Sequence, residues 1–146
     1  MMNIIYLVYR YLWIKSLKDK SQVVKRVVLS GGKVSPGNTK SKQIVKFILQ
    51  LADKINMDPE TKNYLKVLYI PNYNASKEHI VVPCGDVNEQ IALPGQEACT
   101  TIASKFVLNG ACLLGSKDST NNLLATLIGM ENVTLFGHDY DETHKI

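Results

Sequence analysis

Four short apolar runs fix what this chain can fold into. Residues 26–29 (RVVL), 65–70 (LKVLYI), 111–114 (ACLL) and 133–136 (VTLF) are each too short for a helix, and each ends in a glycine or a polar turn: Ser30, Gly31 and Gly32, then Pro71 and Asn72, then Gly115, then Gly137. Between them the apolar spacing switches to the helical period. Ile44, Val45, Ile48, Leu51, Ala52 and Ile55 share one helix face, with Pro36, Asn38 and Thr39 placed to start that helix and Asp58 and Pro59 to stop it. Residues 97–109 carry Ala98, Ile102, Phe106 and Asn109 at helical spacing ahead of Gly110, and 123–128 form a helix closed by Gly129. Residues 76–79 start a short helix, an apolar run at 80–82 ends at Pro83, and 86–91 reads as another short helix. Strands apolar on both faces, alternating with helices, specify an α/β fold in which a parallel sheet is covered by helices on both faces. In such sheets ligands bind at the carboxyl ends of the strands, which directs attention to 30–32, 71–75, 94–99 and 115–118.

The length of 146 residues allows one ordinary core. A net charge of +4, with the 17 Lys and Arg spread along the chain, offers no nucleic-acid footprint. Cys84, Cys99 and Cys112 form neither an even disulfide set nor a CxxC pair and fit a reduced compartment. The N-terminal stretch MMNIIYLVYRYLWIK is broken by Arg10, is shorter than the roughly 20 residues a bilayer demands, and is followed by no small-residue cleavage site. Its Ile4, Ile5, Val8 and Tyr11 or Leu12 recur at helical intervals, predicting a helix packed on other protein, and deleting residues 1–15 is expected to improve solubility.

Several residues carry possible chemistry. Gly31 and Gly32 ahead of Lys33 form either a tight strand exit or a backbone cradle for phosphate, without the spacing of a nucleotide-binding motif. Lys105 follows Thr101 by one helical turn, about 6 Å of rise, which matches the span between the phosphate and the aldehyde carbon of pyridoxal phosphate. Cys99 at a helix start is either inert or a thiolate favoured by the helix dipole. Tyr73 either stacks on a ring or covers the core. His79, His138 and His144 lack metal-ligand spacing, and 138–144 reads as a polar tail, so no metal is expected.

The stretches GGKVSPG, DPETKNYLKVLYIPNYNAS, VVPCGDVNEQI, PGQEACTTIASKFVLNG and MENVTLFG occur in an order and at a spacing that together are highly specific. From Gly31 to Gly137 the chain resembles the C-terminal portion of the α-glucan phosphorylase family, the glycogen and starch phosphorylases. The resemblance implies most of the C-terminal half of a two-domain glycosyltransferase (GT-B) fold. Residues 1–20 would be a helix and connector left from a longer chain, and 21–146 a partial Rossmann-like domain binding pyridoxal 5'-phosphate. It also implies phosphorolysis of an α-1,4-glucan by inorganic phosphate to glucose 1-phosphate, in the cytoplasm, with no nucleic-acid or membrane partner. The family forms homodimers, which are not expected of the isolated chain.

By motif position Lys105 matches the lysine that carries the cofactor as an imine, and Thr101 the threonine at the cofactor phosphate. Thr100 stands where the family has a glycine whose backbone meets that phosphate, and Tyr73 matches a tyrosine near the cofactor. Glu97 and Ala98 match the pair that hydrogen-bonds glucosyl hydroxyls, with Cys99 at the serine position beside them; Glu97 is the candidate catalytic residue. The family reads GTEASGT, then Gly or Ser, then NMKF, where this chain has GQEACTTIASKF. Thr100 adds a side chain where backbone approaches an anion, and Ile102 and Ala103 replace a small residue and an amide. The family DGANVE is here DSTNNL, from Asp118 to Leu123. The basic motif that grips substrate phosphate in the family precedes the helix resembled by Ile4 to Ile14 and is absent from these residues. Two function classes follow: a phosphorylase segment carrying the cofactor lysine, or a non-catalytic family derivative acting, if at all, as an interaction domain.

Overall fold

The computed structural model describes residues 2–92, 101–138 and 142. The chain divides into two compact units, Met1–Asn74 and Ala75–Ile146. Each has its own sheet and its own core, so the single core expected from length gives way to two.

The first unit contains α1 (Met2–Ser16), β1 (Arg26–Gly31), α2 (Thr39–Met57) and β2 (Leu65–Ile70). β1 and β2 are parallel, with Val28 opposite Val67. Alternation along β2 sends Leu65 and Val67 into the core, where they meet Leu51, Ala52 and Ile55 of α2 and Leu7, Tyr11 and Ile14 of α1. The other face of the strand pair leaves Val27, Leu29 and Leu68 exposed. α2 starts where the sequence predicts, because the Asn38 side chain accepts from the Ser41 amide at 3.0 Å. It stops at Asp58, whose amide closes the last turn on the Lys54 carbonyl.

Asp58 also ties the two helices together. Its Oδ2 accepts from the Tyr11 hydroxyl at 2.6 Å and from the Lys15 ammonium at 2.8 Å, and its Oδ1 accepts from the Glu60 amide at 2.9 Å. Lys15 reaches Glu60 as well, at 3.1 Å. The Lys15 ammonium, the Tyr11 hydroxyl and the Glu60 amide hold the Asp58 carboxyl well below the usual carboxylate range. The buried face of α1 therefore runs through Leu7, Arg10, Tyr11 and Ile14. Of the residues spaced for the packed face, Tyr11 is buried and Ile4 and Val8 pack against the core, whereas Ile5 and Leu12 are exposed, which corrects the face at those two positions. Arg10, which breaks the apolar run in sequence, lies along that buried face and donates to the Val24 carbonyl at 2.9 Å.

The second unit contains α3 (Ala75–Val81), a 3₁₀ turn (Val82–Cys84), β3 (Val87–Gln90), α4 (Thr101–Leu108), β4 (Cys112–Ser116), α5 (Ser119–Ile128), a second 3₁₀ turn (Met130–Asn132) and β5 (Val133–Phe136). Its strands are parallel in the order β3-β4-β5. Ala103, Leu113 and Leu124 form the core, with Val107 and Val133 against it. The parallel strands and intervening helices are those of an α/β fold, as the sequence leads one to expect.

Two local readings are corrected. The segment 86–91 is not a helix: Val87–Gln90 is a strand paired with β4. Its inward side chains are Asn88 and Gln90, both buried, so the two-residue alternation is carried by amides and escapes a hydrophobic pattern. The apolar run 80–82 ends α3 and enters the 3₁₀ turn.

Candidate functional site

Two of the candidate residues, Thr101 and Lys105, lie on α4 of the second unit. Its Ala103 faces the core with no exposure, which turns Thr101 and Lys105 outward on the opposite side. Phe106 sets the helix against the turn that follows α3: a Cβ at Gly85 would stand 2.6 Å from the Phe106 ring. Glycine at 85 is thus a condition for seating Phe106. That seating brings α4 beside α3, where Lys105 Nζ forms an ion pair with Glu78 Oε2 at 2.5 Å. The Lys105 side chain is half exposed while that of Glu78 is largely covered. Glu78 escaped the sequence reading because no spacing rule links residues 78 and 105; only the packing of α4 joins them.

The carboxyl ends of the strands are held by one amide. Asn121, in the first turns of α5 and 1% exposed, donates to the Gln90 carbonyl at 3.1 Å and to the Ser116 carbonyl at 2.8 Å. Gly115 leaves room for it, since a Cβ there would meet Asn121 Nδ2 at 2.5 Å. Ser116 Oγ donates to the Ala92 carbonyl at 2.6 Å and accepts from the Ala92 amide at 3.1 Å. Together these bonds fasten the exit of β3 to the end of β4 and the start of α5. Asp118 caps α5 through the Thr120 amide, so the helix opens despite the lost glycine at position 119. Thr101 and Ser104 of α4 face Leu123 and Leu127 of α5 across a shallow open groove.

Of the other candidates, Glu97, Ala98, Cys99 and Thr100 lie outside the described residues. Tyr73 belongs to the first unit. Its ring packs on the end of β1, where a Cβ at Gly31 would stand 2.9 Å from Tyr73 Cδ2, and the Tyr69 hydroxyl donates to the Gly32 carbonyl at 3.1 Å. Gly31 is therefore a strand exit shaped around an aromatic ring. His138 and Glu142, both exposed, pair at 3.2 Å, and among the described residues no three potential metal ligands cluster. Among those residues, too, no helix is long and apolar enough to cross a membrane.

Comparison with known proteins adds a whole-chain match. The family model for carbohydrate phosphorylases matches residues 1–146. Glycogen phosphorylase 2 of Dictyostelium discoideum is 37% identical over 146 residues, covering all of this chain and 14% of the relative. The cytosolic alpha-glucan phosphorylase 2 of Arabidopsis thaliana is 36% identical over 148 residues, covering all of this chain and 18% of its own length. Glycogen phosphorylase of Chlamydia pneumoniae is 39% identical over 137 residues, 94% of this chain and 16% of that protein. The chain thus spans less than a fifth of the length of the relatives it matches.

Proposed function

The chain belongs to the carbohydrate phosphorylase family, and from that premise we propose that it is the cofactor-bearing segment of a cytoplasmic α-glucan phosphorylase, acting on an α-1,4-glucan and inorganic phosphate. The observation that carries the reading is Lys105 on the outward side of α4, half exposed and one turn after Thr101. That donor set suits pyridoxal 5'-phosphate: a primary amine within reach of an aldehyde, and a hydroxyl with helix-terminal backbone N–H groups about 6 Å away for the phosphate. In this reading Lys105 holds the cofactor covalently, and Thr100 and Thr101 meet its phosphate. Glu97, Ala98 and Cys99 orient the sugar. When bound, the cofactor supplies a phosphate group that exchanges a proton with substrate phosphate.

The test is incubation with pyridoxal phosphate, reduction with borohydride and peptide mapping. The expected product is a single labelled lysine, Lys105, lost in Lys105→Ala. Labelling of a different lysine, or none, overturns the assignment.

One observation favours a second reading, a non-catalytic family derivative: Thr100, Ile102 and Ala103 stand where the family motif has a glycine, a small residue and an amide. Phosphorolysis needs a water-excluding cleft and several cations around phosphate. Release of glucose 1-phosphate from glycogen and phosphate by this chain alone would eliminate that reading.

A further inference from the structure

We propose that Glu78 governs the reactivity of Lys105 by holding its amine in the protonated, non-nucleophilic form until the ion pair opens. The inference deepens the assignment of Lys105 as the cofactor lysine and rests on it for its consequence, since an amine captures an aldehyde only through its unprotonated lone pair.

The geometry is specific. Phe106, the neighbour of Lys105, is seated on Gly85, and Gly85 follows the 3₁₀ turn that extends α3. The backbone of α4 is thereby positioned beside α3, and Glu78 is placed by the same turn that seats Phe106. A carboxylate at 2.5 Å from Nζ favours the ammonium form both as a charge and as an acceptor. The elements packed on α4 bring several other titratable groups: Lys77 and His79 with Glu78 on α3, Cys84 in the turn, Asp86 after it, Glu89 on β3 and Cys112 on β4. From this set Glu78 forms an ion pair with Lys105 at 2.5 Å. Because the lysine is half exposed, solvent screens the pair, and its effect belongs to the range of partly exposed ion pairs, roughly two- to fivefold in the fraction of free amine.

Competitive labelling with acetic anhydride, read by peptide mass spectrometry across pH, tests this without the cofactor. The neutral amine forms an amide and releases acetate, so the rate reports the free-amine fraction. In the unaltered chain the labelling midpoint of Lys105 is expected at higher pH than that of a lysine in an unstructured peptide. In Glu78→Gln, Lys105 is expected to label roughly two- to fivefold faster at neutral pH, with its limiting rate at high pH unchanged. A Lys105 midpoint in the unaltered chain at or below that of the peptide lysine overturns the proposal, and this arm needs no variant to fold. An unchanged Lys105 profile in folded Glu78→Gln overturns it equally. Failure of pyridoxal phosphate to attach to Lys105 would sink the cofactor assignment and leave this result standing.

Discussion

The Asn56 side-chain amide donates to the Val67 carbonyl at 2.8 Å and accepts from the Val67 amide at 2.9 Å. Val67 sits mid-strand in β2 and is 1% exposed, so these two backbone groups are out of reach of water. A side chain from the last turn of α2 thus completes the edge of β2 that faces away from β1, where another strand would otherwise pair.

Asn56→Ala leaves the Val67 N–H and C=O unpaired. The expected cost is about 1–3 kcal/mol, the penalty for stranding buried backbone groups, seen as a lower denaturant midpoint with an unchanged slope. The freed edge should also increase concentration-dependent association in light scattering. A midpoint equal to that of the unaltered chain would show that water or a neighbouring group replaces the amide.

The clamp between α1 and α2 makes stability depend on pH at both extremes. Asp58 is held below the usual carboxylate range by Lys15 first, then Tyr11 and the Glu60 amide. Its contribution is present above the unfolded value of about 3.9 and is lost as pH falls through the lower folded value. Lys15 is raised by Asp58 and Glu60, and Tyr11 by its hydrogen bond to Asp58 and by burial. Their contributions are present below about pH 10 and are lost as pH rises through the raised folded values. Denaturant midpoints should therefore be flat from about pH 5 to 9 and fall on either side. Asp58→Asn should lower the plateau and flatten the acid limb; an acid limb as steep as in the unaltered chain would assign that limb to other carboxylates.

Much of this architecture is legible in the sequence because the decisive signals are local. β2 begins and ends where its apolar run does, and α2 opens at Asn38 and closes at Asp58 because a capping amide and a stop at Asp-Pro are short-range chemistry. Where the contact is non-local, pattern reading fails. β3 looks helical because its inward positions are Asn88 and Gln90, whose burial depends on what packs over them. On α1 the spacing leaves Tyr11 or Leu12 open; the structure buries Tyr11, which bonds Asp58, and places Arg10, bonded to Val24, on the same side, while Ile5 and Leu12 are exposed. At the candidate site, Lys105 was legible through its motif; its partner Glu78, 27 residues away in the chain, was not.

The two adjacent glycines where β1 ends are not equivalent. A Cβ at Gly31 meets Tyr73 Cδ2 at 2.9 Å and Cγ at 3.2 Å, near the root of a ring that has little freedom to swing aside, while a Cβ at Gly32 meets nothing within 4 Å. Gly31→Ala is expected to cost about 1–3 kcal/mol through overpacking, and Gly32→Ala to change stability by less than about 0.5 kcal/mol. Comparable midpoints for the two variants would refute the ring contact.

Removing α1 does not relieve the chain of an exposed apolar helix; it removes part of its core. Leu7, Tyr11 and Ile14 are at most 7% exposed and pack on Leu51, Ile55, Leu65 and Val67. Losing a buried aliphatic side chain costs about 2–5 kcal/mol, and a domain has only about 5–15 kcal/mol in total. Deletion of residues 1–15 should therefore reduce the soluble fraction on expression, the reverse of what the apolar N-terminal sequence suggests. The liability lies instead on the outward face, where Ile5, Tyr9 and Leu12 are each more than half exposed. Ile5→Lys with Leu12→Lys should raise the soluble fraction while leaving the denaturant midpoint within about 0.5 kcal/mol of the unaltered value. A soluble, cooperatively folded deletion variant, or a collapse of stability in the double lysine variant, would reverse this assignment of the two faces.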